Sequence, residues 1–219
     1  MKTYVEQIGR FLLLLLAIQI GRGLINTGLW RLLQPAADSP LWAFMDMVAF
    51  GFLGMGLLIF YRPSAPQLGL DWKDLPRWEL IAYILIGTVT LVSVLGTYFL
   101  EPDFFAINIS AAIVIPIFEE LLFRGWGWGQ LEKAHPARHA GFLHWLVISF
   151  LFALWLFGFL DIYLLKVAPA SPNMNWGEFF LMKFLITFII GLIVGLPRWR
   201  TSRIYGSLIL HSLINLFNR

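Results

Sequence analysis

Seven apolar stretches, each near the length of a bilayer crossing, constrain this chain more than any other feature. They run about 11–33, 41–61, 79–100, 106–123, 142–165, 178–196 and 204–217, the last being short. A helical span needs about 20 apolar residues at roughly 1.5 Å rise each. In hydrocarbon the backbone must satisfy its own polar groups, which a helix does within one segment. The expectation is therefore an all-α, polytopic transmembrane helical bundle of about seven spans, forming one membrane domain. Composition agrees. Of 219 residues, 59% are hydrophobic and 13% charged, against about 25% charged in a typical soluble domain. Ten Trp, twenty Phe and six Tyr suit aromatic belts at both interfaces. With no cysteine there is no thiolate metal site. A net charge of +3 gives no reason to expect a nucleic-acid partner. The first apolar run lacks a small-residue cleavage site and is followed by Arg22 and Trp30, so it reads as a retained span.

Orientation follows from lysine and arginine in the short connections. With the N-terminus on one side, that side collects eleven: Lys2, Arg10, Arg62, Lys73, Arg77, Arg124, Lys133, Arg138, Arg198, Arg200 and Arg203. The other side holds three: Arg31, Lys166 and Arg219. The expectation is an N-terminus in the cytoplasm of a bacterial cell, with the bundle in its cytoplasmic membrane. Arg22 and Lys183 fall inside spans.

Two adjacent glutamates interrupt the fourth stretch, AINISAAIVIPIFEELLF over 106–123, with Arg124 next. An ionisable residue in hydrocarbon is expensive and marks a functional site by default. Glu120 and Arg124, four apart, share a helical face; Glu119 points about 100° away. One carboxylate can thus pair with Arg124 while the other meets a cavity as a general base on water. The spacing puts the pair one to two turns from the cytoplasmic helix end. Pro116 removes one helical hydrogen bond just upstream.

The last stretch carries His211 and Asn215, again four apart and on one face. Both constellations sit about 6–10 Å from a cytoplasmic end by helical rise and can meet in one cavity. Histidine can bind metal or polarise a carbonyl, and an asparagine amide can stabilise an oxyanion. Each constellation also has a structural reading: solvated interfacial charges for the first, interhelical hydrogen bonds for the second.

Together the motifs resemble the CAAX-protease and bacteriocin-processing (CPBP) family of intramembrane proteases. Glu119-Glu120-x-x-x-Arg124 matches its first motif, within FEELLFRGW at 118–126, and His211-x-x-x-Asn215 matches its last. Leu68-Gly69-Leu70 is a weaker echo. The resemblance covers about 106–217 as a CPBP-like core, with 1–105 as N-terminal spans. The family's middle motif, Phe-x-x-x-His, is incomplete: with Phe152 as its phenylalanine, Leu156 stands where the histidine belongs. His144 is too far along the same span to replace it, and His135 and His139 belong to a connecting loop. Trp155 reads as packing, and Asp161 as interfacial.

The resemblance implies that Glu119, with Glu120, activates a water for attack on a peptide carbonyl. His211 and Asn215 would stabilise the oxyanion, with Arg124 as structural support. A divalent metal such as zinc, if held, would take Glu119 and His211 as its ligands, a poor set with the middle-motif histidine missing. The implied substrate is a lipidated or peptide segment of another membrane protein. The alternative is a catalytically silent relative serving as scaffold, chaperone or accessory subunit for a partner protein. No broken-helix pair of the transporter kind is present. Three further features read as structural: an interfacial turn at Gly125–Gly129, close helix packing at Gly51, Gly54 and Gly56, and an extracytoplasmic loop at Pro169, Ser171 and Pro172.

Overall fold

The structure is a computed structural model that describes residues 3–36, 39–71, 73, 75–136, 140–159, 162, 163, 167, 168, 171 and 173–217, with Asp103, Ala140 and Leu156 described by backbone alone. Expectations for Lys2, Arg138, His139, Asp161, Lys166, Pro169, Pro172 and Arg219 therefore lie outside the described residues.

Among the described residues every regular element is helical. Helix α1 spans Tyr4–Leu33, α2 Leu41–Tyr61 and α3 Arg77–Leu100. One continuous helix, α4, then runs from Pro102 to Ala134. Helix α5 is Ala140–Trp155 and ends in a 3-10 turn over Leu156–Phe159. Helices α6, Trp176–Thr201, and α7, Tyr205–Phe217, complete the chain. Six of the seven are long and apolar enough to cross a membrane, and α7 is a shorter apolar helix. This is the all-α polytopic bundle the apolar stretches led us to expect.

Helix α4 is the axis of the bundle. Its apolar window is 44% buried, against 11% for α3. Phe118, Phe123 and Trp128 from α4 pack with Phe11 of α1, Phe50 of α2, and Phe152 and Trp155 of α5. The helix changes winding twice, with π-helical stretches at Ser110–Val114 and Leu121–Gly127 on either side of Ile115–Glu120. The first has a cause in the sequence. Pro116 lacks an N–H, and its ring collides with the carbonyl four residues earlier. Widening the turn relieves that collision. Ile115 N–H then donates five residues back, to the Ser110 carbonyl.

Three expectations change. Gly125–Gly129 is not an interfacial turn; it continues α4 to Ala134. Its glycines are packing notches instead. A Cβ on Gly129 would meet the Gln67 carbonyl at 2.7 Å, and one on Gly125 the Leu68 carbonyl at 3.3 Å. The connection between α2 and α3 thus lies with its backbone directly on α4. Gly69 closes that connection with a positive φ of 70°, and its carbonyl accepts from Ile204 N–H at 3.2 Å. Because α4 extends about 14 residues past Glu120, roughly 21 Å at 1.5 Å per residue, the glutamates lie halfway along it rather than near its end. Arg124 and Arg198, counted among the loop charges, are both buried. Of the three α2 glycines only Gly54 has a close neighbour, the Phe118 ring at 3.3 Å.

Candidate active site

Helices α4 and α7 bring the two constellations into contact. Glu119, Glu120, Arg124 and His211 are all buried. Their arrangement grows from the helical spacings. Glu120 and Arg124, one turn apart, form an ion pair at 2.8 Å, from Arg124 Nη1 to Glu120 Oε1. The same Oε1 meets His211 Nδ1 at 2.8 Å. An ionised carboxylate only accepts hydrogen bonds. With Glu120 as the acceptor, Nδ1 supplies the proton of that bond, and in the tautomer protonated there Nε2 is the acceptor. Nε2 faces Glu119 Oε2 at 3.7 Å. That separation is too long for a direct hydrogen bond, and a water held by both atoms would sit beside the line joining them rather than between them. The two glutamates, about 100° apart on their helix, thus bracket one imidazole from both nitrogens.

Arg124 is held from three directions. Its Nη2 donates to the Gly191 carbonyl of α6 at 3.2 Å, and its guanidinium lies 4.3 Å from the centre of the Phe152 ring. The Phe152 ring also meets His211 edge-on at 5.6 Å. The phenylalanine of the middle motif thus keeps a place between the charged residues of the other two.

Trp155 is the residue sequence reasoning missed. Its indole Nε1 donates to Glu119 Oε1 at 2.6 Å, so it is a partner of the first glutamate and not packing alone. It sits one residue before Leu156, which opens the 3-10 turn. A tryptophan inside an apolar run carries no sequence signal for such a bond. Only the incomplete motif beside it points to the place.

Asn215 does not reach the carboxylates. Its Nδ2 donates to the Ala111 carbonyl at 2.8 Å. In the π-helical register Ala111 would pair with the N–H of residue 116, which is proline. Asn215 supplies the donor that Pro116 lacks.

A catalytic zinc takes three protein ligands and a water. Glu119 Oε2 and His211 Nε2 face one gap, but Trp155 N–H can only donate and the Asn215 amide is engaged by Ala111. Among the described residues no group of three His, Asp or Glu is placed to hold a metal. The donor set does not fit a resident catalytic zinc. His144 stacks on Tyr4 at 5.6 Å, and His135 is exposed; neither belongs to the site.

A family model described as Type II CAAX prenyl endopeptidase Rce1-like matches residues 101–217, and the chain belongs to that family, part of the CPBP group. No curated protein and no solved structure matches the chain.

Proposed function

We propose that the chain is an intramembrane endopeptidase that cuts a lipidated polypeptide tail at the gap between Glu119 and His211. The observation that carries this is the 3.7 Å separation of Glu119 Oε2 from His211 Nε2. A water there donates to Glu119, whose other oxygen is already held by Trp155. Its proton passes to Glu119 as its oxygen bonds to the scissile carbonyl carbon. The C–N bond then breaks, and the proton returns to the departing amine. Glu120 fixes the tautomer of His211 and shares its charge with Arg124, so that Nε2 faces the reacting water. General-base assistance of this kind contributes about 10²–10⁴-fold.

A lipidated substrate is supported by the family description and by a groove beside the site. This apolar cavity of about 330 Å³ lies between α2 and α4 and is lined by Phe50, Gly54, Leu58, Phe118, Leu121 and Trp126. Phe118 stacks 6.4 Å from Trp155, which holds Glu119. On this reading the lysine- and arginine-rich ends face the cytoplasm of a bacterial cell.

A second reading, a silent relative that binds a partner without cutting it, is favoured by the Trp155 hydrogen bond that occupies Glu119 and by the bond that ties Asn215 to the Ala111 carbonyl. Cleavage of a prenylated peptide in lipid by the parent, Glu119→Gln, His211→Ala and Leu156→His separates them. Cleavage by the parent that disappears in the first two variants supports the protease. An inert parent beside an active Leu156→His variant supports the silent relative.

A further inference from the structure

Helices α1 and α2 lie outside the family match, yet they reach the site. Helix α5 stops winding at Trp155, and the carbonyls at the end of a helix have no partner within it. In a bilayer such groups must find donors elsewhere. Gln19 Nε2 donates to the Trp155 carbonyl at 3.0 Å, and Arg22 Nη2 to the Gly158 carbonyl at 3.2 Å. Arg22 Nε donates to Gln19 Oε1 at 3.0 Å and Nη1 to Asp46 Oδ1 at 3.3 Å. Asn26 Nδ2 reaches the same Asp46 oxygen at 2.8 Å. The guanidinium lies 4.2 Å from the centre of the Phe159 ring. Gly158 is required here, since any Cβ on it would occupy the position of the Gln19 side chain. Gln19 and Arg22 are both buried.

We propose that Gln19, Arg22 and Asp46 are positioning residues of the active site: they anchor the end of α5 and so hold the Trp155 indole against Glu119. The chain of contacts runs from Asp46 through Arg22 and Gln19 to the Trp155 backbone. It continues through the Trp155 side chain to Glu119 and His211. Where the family's middle motif has a histidine, this chain has a tryptophan N–H one residue earlier, set by the N-terminal spans. An indole N–H only donates. It can therefore orient Glu119 but cannot take the proton of the water.

This inference rests on the proposed Glu119 site, and the test reads the contact separately from catalysis. The full chain, with ¹⁵N-labelled tryptophan, is placed in lipid nanodiscs, and Trp155→Phe assigns the Trp155 indole resonance. Gln19→Leu and Asp46→Asn are compared with the parent. We expect the Trp155 indole signal to move upfield and its hydrogen exchange to quicken about tenfold, the scale of one lost hydrogen bond. The Trp145 indole, which donates to the Leu192 carbonyl at 2.8 Å, stays unchanged as a control for folding. Prenylated-peptide cleavage should fall mainly in kcat, with KM little altered. An unmoved Trp155 signal in the folded Gln19→Leu and Asp46→Asn proteins would overturn the proposal. A moved signal with no cleavage by any form, the parent included, would leave the clamp standing and remove the protease reading.

Discussion

Arg22 and Arg124 are both fully buried guanidiniums on membrane helices, each beside a carboxylate, yet their surroundings differ in kind. Arg22 uses all three of its nitrogens, on Gln19, Asp46 and the Gly158 carbonyl. Arg124 uses two, on Glu120 and the Gly191 carbonyl, and its Nε has no partner. Beside it, Glu120 Oε2 is also without a partner, and Glu119 stands 3.7 Å from His211 Nε2. Burying an ion is expensive unless it is paired and hydrogen-bonded. The α1–α2 cluster meets that demand at Arg22 and acts as a lock. The α4–α7 cluster meets it only in part, since Arg124 Nε and Glu120 Oε2 stay without partners.

The sharpest way to break the comparison is to remove the proposed base. Glu119→Gln keeps the shape and the Trp155 contact but cannot take a proton, and cleavage should fall about 10²–10⁴-fold with the thermal transition in detergent nearly unchanged. A similar fall in Asp46→Asn, without loss of the Trp155 indole contact, would erase the distinction between lock and site. Next in size, Arg22→Met and Arg124→Met each strand a carboxylate and should destabilise the fold by about 3–5 kcal/mol, measured by denaturant unfolding in mixed micelles. The double-variant losses should add within about 0.5 kcal/mol if the clusters are energetically independent.

Smaller effects refine the roles. Asn215→Leu removes the donor for the Ala111 carbonyl and should lower stability by about 1–3 kcal/mol. If Asn215 serves the π-helical stretch and not an oxyanion, kcat falls by far less than the 10²–10³ or so expected for a lost oxyanion donor. Gly129→Ala forces the Gln67 carbonyl away from α4 and should cost about 1–3 kcal/mol, with faster proteolysis between α2 and α3 as its signature.

Much of the first-order picture was legible in the sequence. Apolar runs set the number and type of elements. The spacing Glu120-x-x-x-Arg124 set their pairing, because residues four apart on a helix must face the same way. Helical rise put His211 and the glutamates at comparable depth, so their meeting was expected; that the helix runs on to Ala134 and leaves the glutamates halfway along it was not. The run Gly125-Trp126-Gly127-Trp128-Gly129 looks like a turn because glycine weakens isolated helices. Here neighbours fill each notch and the helix continues. Trp155 was misread as packing because its one hydrogen bond crosses to another helix, which no local pattern records; the bond from Asn215 to the Ala111 carbonyl is of the interhelical kind its sequence also suggested.

What the sequence determined by itself was an all-helical membrane bundle with a carboxylate–arginine pair in one helix and a histidine in another. Hydropathy and helical periodicity are local properties, and they carry that far. Only the tertiary structure decided which carboxylate orients the histidine, which faces the gap, and that Trp155 and the N-terminal spans hold it there. Those outcomes depend on which polar group finds which partner once water is gone, and that is settled between helices, not along them.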